Sequence, residues 1–167
     1  MVSAPPENKV YVGIDPGIDG AIAFYRPPYV PAIFPLPLIE HSTNRYEIDT
    51  AELLGILSTY PVEKVARITI EEVGGSPTFG GSRAFNFGKT YGQLLAVIEM
   101  FGASSLRVRP QTWKRSVLVG TDHSKAAAIS YVERLFPGIE LIPPGKRKPS
   151  HDFAEATCLA VYGSRLN

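Results

Sequence analysis

Carboxylates stand at four places in this 167-residue sequence where a carboxylate is costly. Asp15 ends the apolar run Val12-Gly13-Ile14 and enters a tight turn, and Glu71 ends a second run, Ile68-Thr69-Ile70, with Glu72 next to it. Asp152 and Glu155 lie three apart near the start of the last helical stretch, so they project from one face. His151, four before Glu155, lies close to that face. Magnesium accounts for such a set. It is a hard ion that prefers oxygen ligands, and nucleases use it in pairs about 3.5–4 Å apart to flank a scissile phosphate.

Each residue alone also has an ordinary structural explanation. Asp15 in Asp-Pro-Gly is a common turn former. Of Glu71 and Glu72, at least one should be solvated. Asp152 and Glu155 in a first helical turn suit the helix dipole without any metal. His151 alone is more often a capping or surface residue than a ligand. The order decides between these readings: two strand-end acids followed by an acid pair on the terminal helix seldom arises by chance.

The elements that must position these groups are legible from periodicity. Residues 9–25 read as a hairpin, with Val10, Val12 and Ile14 alternating before the turn at 15–20. Residues 29–36 read as a third, edge strand marked by prolines. Asp49 caps a helix over 50–59 with Leu53, Leu54 and Leu57 on one face. Residues 65–73 form a strand, 74–82 a glycine-rich loop expected to be mobile, 83–101 a long helix, and 106–108 a short strand. Helical segments follow from Thr112, over 124–136, and over 151–162, the last capped by Ser150 and ended by Gly163. A proline- and lysine-rich loop fills 137–149. The domain expectation is a flexible tail over 1–8 and one domain over 9–167.

Composition bounds the function classes. No run of apolar residues is long enough to span a membrane, and residues 1–8 do not form a signal peptide. The single Cys158 excludes an internal disulfide and suits a reducing compartment. The net charge of +1 hides an asymmetry. Residues 1–102 hold 7 basic and 11 acidic side chains, a balance of −4, whereas 103–167 hold 10 basic and 5 acidic, a balance of +5. A basic second half hints at a polyanionic partner without proving one.

The motifs, taken in order, resemble the RuvC branch of the ribonuclease-H-like nucleases, especially its bacteriophage and plastid members. Gly13-Ile14-Asp15-Pro16-Gly17 is similar to the first motif, and Ile70-Glu71-Glu72-Val73 to the family's Ile-Glu-Gln-Val. Residues 85–92 resemble the following helix, 109–115 the proline-to-lysine segment, and Asp152-Phe153-Ala154-Glu155-Ala156 the terminal Asp-Ala-Ala-Asp-Ala. The resemblance implies an α/β fold with a ribonuclease-H-like mixed five-stranded sheet and helices on both faces. It implies metal ligation by Asp15, Glu71, Asp152 and Glu155, with His151 also in the catalytic group. Two departures matter: the last acid is Glu rather than Asp, and some relatives carry histidine in place of the third acid. Whether His151 or Asp152 is the working ligand stays open. Asp152 is the expected one, with His151 orienting it or a water.

The resemblance further implies two Mg²⁺ per site (Mn²⁺ substituting), no small-molecule cofactor, and a homodimer acting on four-way DNA junctions. Hydrolysis would leave 5′-phosphate and 3′-hydroxyl nicks. Lys114, Arg115 and Lys125 fall where the family places cations that touch phosphates. Lys146, Arg147 and Lys148 precede the acidic helix and should sit at the rim of the site. Phe79, in the glycine-rich loop, is expected to stack on bases at the junction centre. Gly88 and Gly92 on the long helix permit close approach, either of a second subunit or of the sheet. A cytoplasmic location, in a bacterium or a phage-infected host, follows. Three rivals remain: a nuclease of the same fold acting on RNA–DNA hybrids or flaps, a nucleotide-binding protein of the actin-like kinase fold (which needs two lobes), and a non-catalytic DNA-binding module.

Overall fold

The computed structural model describes residues 8–42, 45–74 and 80–166. Seven strands and five helices occur among them: β1 (Val10–Asp15), β2 (Ala21–Tyr25), β3 (Ala32–Pro35), β4 (Leu38–Ser42), β5 (Arg45–Ile48), α1 (Thr50–Leu57), β6 (Val65–Glu71), α2 (Gly81–Phe101), β7 (Ser105–Val108), α3 (Pro110–Val117), α4 (Lys125–Leu135) and α5 (His151–Arg165). The main sheet has the order β3-β2-β1-β6-β7. Its first three strands are antiparallel, while β1, β6 and β7 run parallel. This is the expected mixed five-stranded α/β sheet. No helix among the described residues is long and apolar enough to cross a membrane.

Strand alternation divides the interior into two cores. Val10, Val12, Ile14, Ile22, Phe24, Ile68 and Ile70 face α1 and α2, meeting Leu53, Leu57, Leu94, Val97 and Ile98. The opposite face carries small residues, Ala21 and Ala23, and packs on α5, with Trp113 of α3 and Ala128 and Val132 of α4 behind it. Small side chains on this face let α5 sit close. At Gly13 the approach is closest: a Cβ there would lie 2.0 Å from the Ala156 carbonyl oxygen and 2.4 Å from the Ala160 nitrogen. Glycine is therefore required where α5 crosses β1.

Both ends of α5 are pinned. Ser150 Oγ accepts from the Asp152 and Phe153 amides at the start. Arg67 of β6 donates to the Gly163 and Leu166 carbonyls at the end, 3.0 Å each, a cation placed at the negative pole of the helix. Every residue from Phe153 to Gly163 is buried, so this is a core helix enclosed on all sides.

Five expectations need correction. The helix does not end at Gly163 but runs to Arg165. Gly163 lies inside it, because a Cβ there would meet Thr69 Oγ1 at 2.4 Å. The third strand is only Ala32–Pro35, cut short by the proline-rich segments flanking it. Residues 38–42 and 45–48, assigned no element, form the antiparallel pair β4–β5, a separate two-stranded sheet. The long helix starts at Gly81 and α3 at Pro110, which occupies a helix N1 position that needs no amide donor.

Candidate active site

Parallel pairing of β1 with β6 sets the first two acids side by side. Ile14 pairs with Ile70, so the next residues, Asp15 and Glu71, both end their strands on the face toward α5. The first turns of α5 lie over the same edge because the helix crosses β1 at Gly13. They bring Asp152 and Glu155 to the two strand ends.

Asp15 is only 9% exposed. Burial first, then the Asp152 carboxylate, push its carboxyl up from the ordinary 3.8 to about 8. The Gly17 amide, which donates to Asp15 Oδ1 at 3.2 Å, opposes the rise, and Glu155 and Glu71 add to it. Asp15 thus shapes its turn and is also a member of an acid cluster. Glu71 is raised as well, chiefly by burial. Trp113 Nε1 donates to Glu71 Oε2 at 2.7 Å and works against that rise, Glu155 adds to it, and Lys114 offsets it.

The neighbours Glu71 and Glu72 part ways. Glu72 is exposed and pairs with Arg109 at 3.2 Å at the surface, while Glu71 faces the cluster. Glu155, 8% exposed, accepts from Lys114 Nζ at 2.6 Å. Asp152 takes the Ser150 hydroxyl on one oxygen and meets His151 Nε2 at 3.2 Å on the other. His151 therefore touches Asp152 directly, in an orienting position.

Three oxygen-donor carboxylates gathered round a buried fourth are the donor set that a hard dication takes. As the side chains stand, no three ligands close on one point among the described residues. Each acid is instead satisfied within the chain: Glu155 by Lys114, Glu71 by Trp113, Asp152 by Ser150 and His151. The donor chemistry fits magnesium, and the present orientations are those of the cluster serving itself.

Beside the carboxylates lies an open cleft of about 680 Å³, walled by Ile18, Leu36, Leu38, Pro143 and Phe153. Lys146, Arg147 and Lys148 line it, as do His151 and Asp152. Arg115 and Lys125 are exposed and form no ion pair among the described residues. Lys125 is also the first residue of α4, where the helix dipole disfavours a cation. Lys114 differs from all of these, being drawn inside onto Glu155. Phe79 lies outside the described residues. Sequence reasoning gave no role to Trp113 and Arg67; a lone tryptophan beside Lys114 was the signal for the first, and Arg67 left none.

No family model and no curated protein sequence matches the chain. Solved structures do. Thermus thermophilus RuvC in complex with a Holliday junction substrate is 14% identical, with 93% of each chain covered and a TM-score of 0.56. Thermus thermophilus RuvC on its own gives 17% identity, the same coverage and 0.53. The yeast mitochondrial Holliday junction resolvase gives 14% identity over 98% of this chain and 80% of that one, at 0.51. The chain has the fold of the RuvC resolvases. At these identities the likeness is one of architecture, and the chemistry rests on the residues above.

Proposed function

We propose that this protein is a divalent-metal-dependent endonuclease that resolves four-way DNA junctions. The observation that carries the proposal is the burial of Asp15 among Asp152, Glu155 and Glu71 at the shared carboxyl edge of β1 and β6. A protein gains nothing in stability from such a cluster, since like charges brought together out of water repel. A bound cation repays it. Asp15, Glu71, Asp152 and Glu155 would hold the ion, which, when bound, supplies a nucleophilic water at neutral pH and neutralises charge on the departing oxygen.

The rest of the work falls to the chain itself. Trp113 fixes the direction of Glu71 through one hydrogen bond, and Ser150 and His151 fix Asp152. Lys146, Arg147 and Lys148 beside the cleft, with Arg115 of α3 and Lys125 of α4, form no ion pair among the described residues and offer cations to the phosphates of an approaching strand. A homodimer would present two such sites to two equivalent strands. Along α2, Phe85 and Met100 are exposed, and the space where Gly88 and Gly92 would carry a Cβ is open. These glycines therefore do not serve packing on the sheet, which supports the subunit-contact alternative.

The likeness to RuvC bound to a Holliday junction substrate supports a branched DNA in preference to a hybrid or flap. The test is direct: labelled four-way junction, flap, RNA–DNA hybrid and plain duplex, each with Mg²⁺ or EDTA. Paired nicks in the junction alone, dependent on Mg²⁺, are expected. Cleavage of the hybrid with the junction left intact would replace this reading with the ribonuclease one.

A further inference from the structure

Lys114 occupies a position that cannot be explained as a surface cation awaiting DNA. Its Nζ lies 2.6 Å from Glu155 Oε1, and the two side chains are only 21% and 10% exposed. The ammonium also sits 5.1 Å from the centre of the Trp113 ring, a cation–π distance, while that ring's N–H holds Glu71. Its charge acts on Glu71 as well as on Glu155. One ammonium thus serves two of the four carboxylates, from a single turn of α3.

We infer that Lys114 is a built-in substitute cation: it holds Glu155 in the free protein and must leave when a divalent ion enters. This rests on the nuclease reading of the acid cluster. A buried carboxylate needs a partner at every stage, because a charge stranded out of water is strongly unfavourable. Either the ammonium or the dication can serve, but two cations on the same oxygen repel. Lys114 is therefore a positioning residue that acts through Glu155. It keeps the ligand turned inward, weakens metal binding in the absence of substrate, and frees a cation beside the site once the ion arrives. A phosphate oxygen of the bound strand is the anion then within its reach, so ion entry and phosphate contact are linked.

The experiment uses the full chain without DNA and Mn²⁺ as the probe. Free Mn²⁺ is followed by electron paramagnetic resonance for the wild type, Lys114→Met, Lys114→Gln and Asp15→Asn, each first checked for folding by circular dichroism. In parallel, wild-type lysines are acetylated briefly with and without saturating Mn²⁺ and quantified by mass spectrometry, with exposed Lys64 as the internal standard. Both Lys114 variants should bind Mn²⁺ about tenfold more tightly or better. Mn²⁺ should raise acetylation of Lys114 several-fold relative to Lys64, and this rise should vanish in Asp15→Asn. A lysine that is merely near the site would change affinity without changing its labelling. Unchanged labelling at saturating Mn²⁺, or Lys114 variants with no gain in affinity, overturns the inference while leaving the nuclease reading intact. Mn²⁺ binding that is absent, or indifferent to Asp15→Asn, overturns both. If the variants fail to fold, the wild-type labelling still decides.

Discussion

Replacing Asp15 by asparagine should make the metal-free protein more stable while destroying its activity. Asparagine keeps the shape and an oxygen that can accept from the Gly17 amide, so the turn survives. What it removes is an ionisable group whose charge is penalised by burial and by three neighbouring carboxylates. The sign follows from proton linkage. In the unfolded chain Asp15 has its ordinary value of 3.8, and in the folded chain about 8, so the folded state holds the proton across that interval. Stability of the wild type therefore falls as pH rises from about 4 to about 8, by roughly 1.4 kcal/mol per unit. At pH 7 the accumulated cost is about 4 kcal/mol, which asparagine does not incur.

For a domain of this length each kcal/mol moves the melting temperature by roughly 2–4 °C, so the variant should melt on the order of 10 °C higher at pH 7. Differential scanning fluorimetry in EDTA across pH 4 to 8.5 measures it. The gap should open with rising pH, close near pH 4 where both proteins are uncharged at this position, and shrink when Mg²⁺ is added, because only the wild type then gains. Equal melting temperatures in EDTA at pH 7.5, or a gap independent of pH, would refute the account of Asp15 as the strained centre of the cluster.

Four further outcomes are expected. Glu71→Gln should abolish junction cleavage with binding retained, whereas Glu72→Gln should cut at close to the wild-type rate; gel assays with the two variants side by side decide between these neighbours. Gly13→Ala places a methyl group against the α5 backbone and should cost at least about 3 kcal/mol in urea denaturation, with cleavage lost in the folded fraction as α5 is displaced. Lys125→Ala should reduce the slope of log affinity for the junction against log salt by about one unit, while leaving the melting temperature unchanged or slightly raised. Phe79→Ala should weaken junction binding with plain duplex affinity and melting temperature unaffected; a large fall in melting temperature would make Phe79 a packing residue instead.

Alternation of large residues made β1 and β6 legible, and the position of an acid at the end of each made the edge of the site legible too. The choice between Glu71 and Glu72 was open to alternation as well, since only Glu71 is in phase with Thr69 on the α5 face. Short-range signals failed where tertiary contact overrides them. Gly163 reads as a helix stop, yet it is a contact residue whose missing side chain admits Thr69. The β4–β5 pair was missed because both strands are short and β4 is mostly exposed, leaving little apolar alternation to read. Lys114 was legible as a basic residue near the site, but its inward direction depends on where α3 sits against α5, and no local pattern encodes that.

The way α5 is held explains why the acid cluster keeps its tension. Repulsion among carboxylates at a helix start is ordinarily relieved by fraying, since the first turn has few hydrogen bonds to lose. Here Ser150 caps that turn, Arg67 fixes the other end, and the buried run 153–163 fills the space between the sheet and α3 and α4. Gly13 leaves no gap through which the helix could lift selectively from β1. With movement closed off, the cluster can be relieved only by a proton on Asp15 or by a cation. The free protein draws on both, the raised carboxyl and the Lys114 ammonium. A dication competes with both at once, so its affinity should rise with pH up to about 8 and rise again when Lys114 is removed. Under the proposed function, the rigidity that makes the cluster expensive is what a doubly charged ion would relieve.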